Sequence, residues 1–316
     1  MRACVVVNRN ARRLRARGPL LDELCRRRPG VEVVETRSLD DLDAALGGLL
    51  REGEAAPAVV FAGGDGSYMA GLSALARASA GRTLPPIALA PGGTVSIVAR
   101  NWGMRGDPVR YAARLLDAVA SGAARSTRRP TLRVVPHAPV AARARERVGF
   151  IFGAGLVARF FEVYAARGAG GNGVAAGIVA RIFAGSFVGS RFARSVLDPS
   201  ACAIAVDGEP APFDRVSLLC ASVVRDLGLG LRLTRRAAEA LDRFHVVGTP
   251  LGPRALGPQL PLVLAARPLL GPRVDALATE LAVRFPGGTG AYVLDGDLFH
   301  ADAVTVTAGP AIDVLG

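Results

Sequence analysis

Along the first 125 residues, short apolar runs alternate with polar turns and stretches of helical spacing. Residues 3–7 are a β-branched run, followed by an amphipathic stretch over 11–28. Residues 31–36 repeat the strand pattern, and Ser38-Leu39-Asp40-Asp41 then opens a periodic segment over 42–51 that reads as a capped helix. Residues 57–62 and 86–90 are further apolar runs, each leading straight into a glycine-rich turn and a helix. Four β-to-α units in succession predict a doubly wound parallel sheet. Such sheets receive ligands at the carboxyl ends of their strands, where both glycine turns would lie.

After a helical segment over 108–121 the pattern changes. Short strands at 131–135, 149–152, 201–206, 216–222 and on to 304–307 are separated by glycine, proline and charged turns, which predicts a mainly antiparallel β domain. Two helical stretches over 156–194, rich in Phe, Val, Ile, Gly and Ala, interrupt it, and residues 138–146 read as a surface loop. The organisation expected is an α/β domain over 1–127 and a β-sandwich domain over 128–316 with a helical insertion at 156–194. The last residues are free to pack back on the first domain. Two domains leave room for a cleft.

Composition narrows the chemistry. The chain has 316 residues and a net charge of +12, and all 39 basic residues are arginine. Without lysine there is no P-loop and no strand lysine of the protein-kinase kind, so any phosphate chemistry must use another design. The positive charge has two readings, a compositional bias toward arginine or attraction to an anionic surface. No recognition helix or aromatic RNA-binding strand stands out, so nucleic acid is not expected as a partner. Cys4, Cys25, Cys202 and Cys220 are widely spaced in apolar surroundings, which favours reduced core residues and a reducing cytoplasm. The first residues lack the apolar core of a signal peptide. The longest uncharged runs, such as 168–180, are shorter than the roughly 18–20 residues a spanning helix needs, so a soluble or peripheral protein is expected.

The strongest chemical feature is Val59-Val60-Phe61-Ala62-Gly63-Gly64-Asp65-Gly66-Ser67, an apolar strand entering a glycine turn that opens a helix. Glycines let the backbone approach a ligand closely, while successive N–H groups and a helix terminus favour phosphate. A second turn of the same kind follows in Leu89-Ala90-Pro91-Gly92-Gly93-Thr94-Val95-Ser96, ahead of a helix carrying Ala99-Arg100. Two phosphate-compatible loops would thus sit on neighbouring strand ends.

This pair resembles the catalytic domain shared by bacterial diacylglycerol kinases, sphingosine kinases and ceramide kinases, which is distantly similar to NAD kinases and phosphofructokinases. The family pattern is Gly-Gly-Asp-Gly-Thr and then Gly-Thr-x-Asn before a helix with Ala-Arg. Asn8-Arg9-Asn10 stands where the family has a phosphate-side Asn-Pro turn, and Thr36 where it has a nucleotide-contacting threonine. Residues 149–155 look like its Gly-Phe-x-Ala strand exit. Asp207-Gly208-Glu209 and Asp295-Gly296-Asp297 look like its two Asp-Gly-Glu turns.

The resemblance implies ATP as donor and magnesium as its counter-ion. The implied nucleotide-side residues are Asn8, Asn10, Thr36, Gly63, Gly64, Asp65, Gly66, Ser67, Gly92, Gly93, Thr94 and Ser96. Asp65 would act at the phosphates, toward ATP-bound magnesium or the acceptor hydroxyl, and Asp297 matches the general base. Asp295 is its close neighbour, and repulsion between the two is expected to raise one pKa. The chain departs from the family at Ser67 for threonine, Ser96 for asparagine and Asp297 for glutamate. A structural magnesium site is not expected, because its Asp-Gly appears only as Asp242-Arg243.

For the acceptor, residues 173–194 offer an amphipathic helix whose Arg181, Arg191 and Arg194 meet lipid headgroups, or a core helix packed on the β domain. His137, His245 and His300 receive no role. The function expected is an ATP- and magnesium-dependent lipid kinase at the cytoplasmic face of a membrane, acting on diacylglycerol, a sphingoid base or a ceramide, with a homodimer allowed. The alternatives are kinase action on a soluble acceptor such as NAD, and an impaired nucleotide- or lipid-binding regulator.

Overall fold

The computed structural model describes residues 2–11, 14, 18–50, 56–93, 95–137, 145–168 and 171–316. Two compact units result, one of residues 1–129 with 311–316 and one of residues 130–310.

The first unit follows the alternating pattern. Its elements are β1 (Ala3–Asn8), α1 (Gly18–Arg26), β2 (Val31–Thr36), α2 (Leu39–Leu49), β3 (Ala58–Gly63), α3 (Asp65–Ser79), β4 (Ile87–Pro91), α4 (Ile97–Asn101), α5 (Pro108–Ser121) and β5 (Ser126–Arg129). The sheet runs β2-β1-β3-β4, all parallel, and is extended by the strand Ile312–Leu315, which pairs parallel to β4 and antiparallel to β5. β3 and β4 are buried at every position, which is why they read as continuous apolar runs: helices cover both faces of a parallel sheet. Helix starts follow the sequence. Ser38 Oγ accepts from Asp41 N at 3.0 Å while Asp41 Oδ2 accepts from Ser38 N at 3.1 Å, a capping box that begins α2 at Leu39 rather than at residue 42. Asp107 caps α5, and Gly122 in left-handed conformation ends it. Within the amphipathic stretch over 11–28, α1 covers Gly18–Arg26, and residues 12, 13 and 15–17 lie outside the described residues. Cys4 and Cys25 are buried, and burial pushes their thiols up to about 12 and about 11.

The second unit contains β6 (Leu132–His137), β7 (Arg147–Gly149), β8 (Ile151–Gly155), α6 (Leu156–Ala166), α7 (Asn172–Val188), α8 (Arg191–Leu197), β9 (Ser200–Ala201), β10 (Ala203–Val206), β11 (Glu209–Pro210), β12 (Arg215–Val216), β13 (Leu218–Ser222), β14 (Phe244–Thr249), α9 (Pro253–Leu256), α10 (Leu260–Leu264), β15 (Val274–Ala278), β16 (Glu280–Arg284), β17 (Gly290–Leu294), β18 (Asp297–Ala301) and β19 (Ala303–Ala308). Two antiparallel six-stranded sheets form, in the orders β11-β10-β16-β19-β6-β7 and β15-β14-β13-β8-β17-β18, with β9 and β12 as a separate pair. They face one another: a side chain on Gly248 of β14 would begin 3.3 Å from Ile204 of β10. The loop expected over 138–146 falls mostly outside the described residues.

The sequence of residues 173–194 allows an amphipathic surface helix or a core helix. Ile178 and Ile182 of α7 pack with Val196, Leu197, Leu218 and Leu256 in one buried cluster, so the stem of α7 is core. Its outward positions are mainly Gly and Ala, with Arg181 among them and its guanidinium 4.1 Å from the Phe192 ring centroid. Among the described residues no single helix is long and apolar enough to cross a membrane; α7 and α8 pass that length test only together and are bent by 107°.

Candidate functional site

The strand order reverses between β1 and β3, so the carboxyl ends of these strands border the crevice where doubly wound sheets bind ligands. Three of the expected residues are tied together there. Asn8, at the end of β1, donates from Nδ2 to Ser67 Oγ at 2.7 Å, and its Oδ1 accepts from Asn10 N at 2.9 Å. Asn10 Nδ2 in turn donates to Arg37 O beyond β2 at 3.3 Å. A cavity of about 260 Å³ opens beside this lattice, lined by Asn8, Asn10, Thr36, Ser38, Phe61 and Ser67 among others. Ser67 Oγ already accepts from Asn8 and, at 3.4 Å, from Gly64 N, which leaves its own proton to donate.

The two glycine loops lie backbone against backbone. Gly92 N donates to Gly63 O at 2.7 Å, and a side chain on Gly93 would begin 2.5 Å from the Gly64 Cα. No residue larger than glycine fits that approach. Gly92 is constrained by a side chain instead, since its own would begin 2.8 Å from Leu14 Cγ. Above the contact, α3 begins at Asp65 and directs its first amides toward the strand ends, the geometry that attracts phosphate.

Asp65 joins the loops a second time. Its Oδ2 accepts from Ile97 N at 2.8 Å and its Oδ1 from Val98 N at 3.0 Å, so it caps α4 from across the site. Burial pushes its carboxyl up to about 6; the two amides and Arg100 pull the other way. Tyr68 OH donates to Ala90 O at 2.9 Å and fixes α3 on β4. Ser96 holds a left-handed φ of +49°, and its buried Oγ has no hydrogen-bond partner among the described residues. Thr94 lies outside the described residues. No group of three His, Cys, Asp or Glu side chains among those residues is placed to hold a metal ion.

In the second unit the expected carboxylates separate by role. Asp295 and Gly296 both have positive φ, +51° and +94°, and form a two-residue hairpin turn between β17 and β18. Asp295 is buried and accepts from Phe150 N at 3.1 Å and Ile151 N at 2.9 Å, which pins the hairpin to β8. Asp207 repeats the device: in the Asp207-Gly208 turn its Oδ1 accepts from Thr279 N and Glu280 N, both at 2.8 Å. Through the Phe150 and Ile151 amides Asp295 staples the hairpin to β8. Asp297, first residue of β18, remains accessible. The bulk of the surrounding protein raises its carboxyl above the usual range, and Arg147 opposes that shift. Arg147 sits 4.1 Å from the Phe299 ring centroid, which stacks on Tyr292. Phe161 of α6 covers the turn, 3.6 Å from where a side chain on Gly296 would start.

His245, without a role from sequence, is fully buried. Its Nε2 donates to Asp275 Oδ1 at 2.8 Å, and its Nδ1 accepts from Arg236 N at 3.3 Å, which requires the neutral ring. Burial works to raise Asp275, but hydrogen bonds from His245 and Arg235 outweigh it and hold the carboxyl at about 2.

Comparison with known proteins bears on the first stretch of the sequence and on the fold. The family described as diacylglycerol kinase catalytic domain matches residues 2–136. Among curated proteins none matches the sequence. The fold is similar to that of a Bacillus anthracis protein named as a candidate diacylglycerol kinase, with a TM-score of 0.65 at 14% identity over 99% of this chain and 96% of that one. A second structure, of a diacylglycerol kinase from the same organism, gives 0.60 at 12% identity over 99% and 96%. Yeast NADH kinase, solved with NADH, gives 0.50 at 13% identity over 100% and 83%. The paired glycine loops lie inside the stretch that matches the diacylglycerol kinase catalytic domain, and the chain as a whole shares its fold with these solved structures.

Proposed function

We propose that the protein transfers the γ-phosphoryl group of ATP to a hydroxyl of a lipid. The observation that carries the reading is the interlocked pair of glycine loops at the point where strand order reverses, beside a polar-rimmed cavity. Phosphoryl transfer demands little covalent chemistry of a protein; positioning and charge stabilisation do most of the work. The α3 amides, the Gly64 and Gly93 backbones and the Ser67 hydroxyl suit the donor's phosphates, and Asn8, Asn10 and Thr36 suit the rest of the nucleotide.

Magnesium fits this chain through the nucleotide rather than through a protein cage, because Asp65 is the carboxylate at these loops and each of its oxygens keeps one lone pair beyond the α4 amide. When bound, the ion would neutralise phosphate charge. Asp65 fixes the distance between the loops, and Asp297 accepts the proton of the acceptor hydroxyl.

A lipid acceptor is favoured by the apolar surface that Phe161 presents on the turn before Asp297. Phe160, Phe161 and Tyr164 cluster on α6 with centroid separations of 5.5 to 6.3 Å; Phe160 and Tyr164 pack against the core and hold half-buried Phe161 on the Asp295-Gly296 turn. Apolar chains are what such a surface takes out of water. The test is transfer of labelled γ-phosphate from ATP to diacylglycerol, a sphingoid base, a ceramide or NAD offered separately. Label in a lipid product supports the reading; label only in NAD, or in none of the four, overturns it.

A further inference from the structure

The corner between α7 and α8 carries a feature that the core packing of α7 does not use. Phe187 and Val188, the last two residues of α7, are 55% and 70% exposed, while Ile178 and Ile182 behind them are buried. Phe187 is braced by an edge-on contact with Phe183 at 5.1 Å between ring centroids. Gly189, at φ +63°, ends the helix, and Ser190 Oγ accepts from Ala193 N at 3.1 Å to start α8. The 107° bend thus presents the two apolar side chains at an apex that is held rigid from behind.

The collar around the apex is cationic. Arg191 and Arg194 are exposed on α8, and the exposed Arg254 brings its Nε within 3.2 Å of where a side chain on Gly189 would begin. No Asp or Glu occurs anywhere from residue 163 to 197 or from 244 to 274, the stretches that supply this corner and its support. An apolar apex alone would not name its partner. An apex ringed by arginines, built from stretches without an acid, fits phosphate headgroups over acyl chains.

We propose that the α7–α8 corner is a membrane-docking tip: Phe187 and Val188 enter the acyl layer of an anionic bilayer while Arg191, Arg194 and Arg254 engage its phosphates. Docking rests on the lipid-kinase reading for its purpose, but not for its physics. It would place the second unit at the surface in which a lipid acceptor resides.

The experiment is sedimentation of the full chain with vesicles of phosphatidylcholine, with and without phosphatidylglycerol. Wild-type protein should pellet with the anionic vesicles and be released by high salt. F187S/V188S should lower partitioning about tenfold or more, with an unchanged melting temperature. R191Q/R194Q/R254Q should abolish the preference for anionic over neutral vesicles. On a short-chain, water-soluble diacylglycerol F187S/V188S should be as active as wild type, and on vesicle-embedded diacylglycerol it should be slower. Equal partitioning of F187S/V188S and wild type overturns the inference. So does a wild type that ignores anionic vesicles, or a corner whose mutation dissolves a dimer without changing vesicle binding. If vesicle binding depends on the corner but no lipid is phosphorylated, docking stands and the kinase reading fails; if lipid is phosphorylated and the corner is irrelevant, the reverse holds.

Discussion

The Cα of Gly64 occupies the space into which a side chain on Gly93 would grow, with 2.5 Å between them. The two loops therefore act as one backbone surface, and the contact has no side chain that could adapt. Gly93→Ala should destabilise the first unit by about 1–3 kcal/mol, the usual cost of forced overpacking. It should also weaken ATP binding more than any nearby polar substitution, as measured by thermal melting and calorimetric titration.

Asp65 gives a pH signature. Its folded pKa, about 6, lies above the unfolded carboxyl value, so the folded state binds the extra proton. The contribution is fully present below about pH 4 and is lost as pH rises through about 6, on the order of 2–3 kcal/mol. Asp65→Asn should flatten that slope in denaturant titrations from pH 4 to 7. Phosphoryl transfer at pH 7 should fall by roughly a hundredfold or more, because the charge at the loops is gone.

Asp275 has the opposite sign. Held at about 2, it stabilises the fold above the unfolded carboxyl value, and that stability is lost as pH falls from about 4 through about 2. Asp275→Asn should remove this acid sensitivity and lower stability at pH 7 by about 2 kcal/mol, since His245 and Arg235 lose a charged partner in the interior. Transfer activity per folded molecule should not change.

Asp295 and Asp297 should part company on mutation. Asp295→Ala leaves the Phe150 and Ile151 amides without their acceptor and should cost about 2–4 kcal/mol of stability. Asp297→Ala should leave the melting temperature within a degree or two and reduce kcat with little change in KM for ATP. A stability loss at Asp297 or a purely kinetic loss at Asp295 would reverse the assignment.

Asn8→Ala removes the donor to Ser67 Oγ and the acceptor for Asn10 N. The KM for ATP should rise about tenfold, a little over 1 kcal/mol of binding, with a smaller change in kcat.

The first unit was legible because its signals are local. Wholly buried parallel strands read as apolar runs, Ser38 and Asp107 announce their helices, and Gly63-Gly64 and Gly92-Gly93 mark the loops before any contact is known. What escaped are relationships between distant residues. Nothing near Asp65 in the sequence indicates that its carboxylate belongs to the amides of Ile97 and Val98. The Asp-Gly pairs at 207 and 295 carried a hairpin signal, yet the staples they form depend on strands far away in the chain. Residues 173–194 show the limit of periodicity: apolar and nearly uncharged, they fit a core stem as well as a surface helix, and only the partners of Ile178 and Ile182 decide between the two.

The strand Ile312–Leu315, set between β4 and β5, has a consequence for the order of synthesis. The sheet beneath both glycine loops is completed by residues that leave the ribosome only after the whole of residues 130–310 has been made. Until then β4 has an unpaired edge, a template for pairing with other nascent chains. Loss of the strand Ile312–Leu315 would therefore do more harm than its length suggests, because it would leave the first unit permanently in its unfinished state.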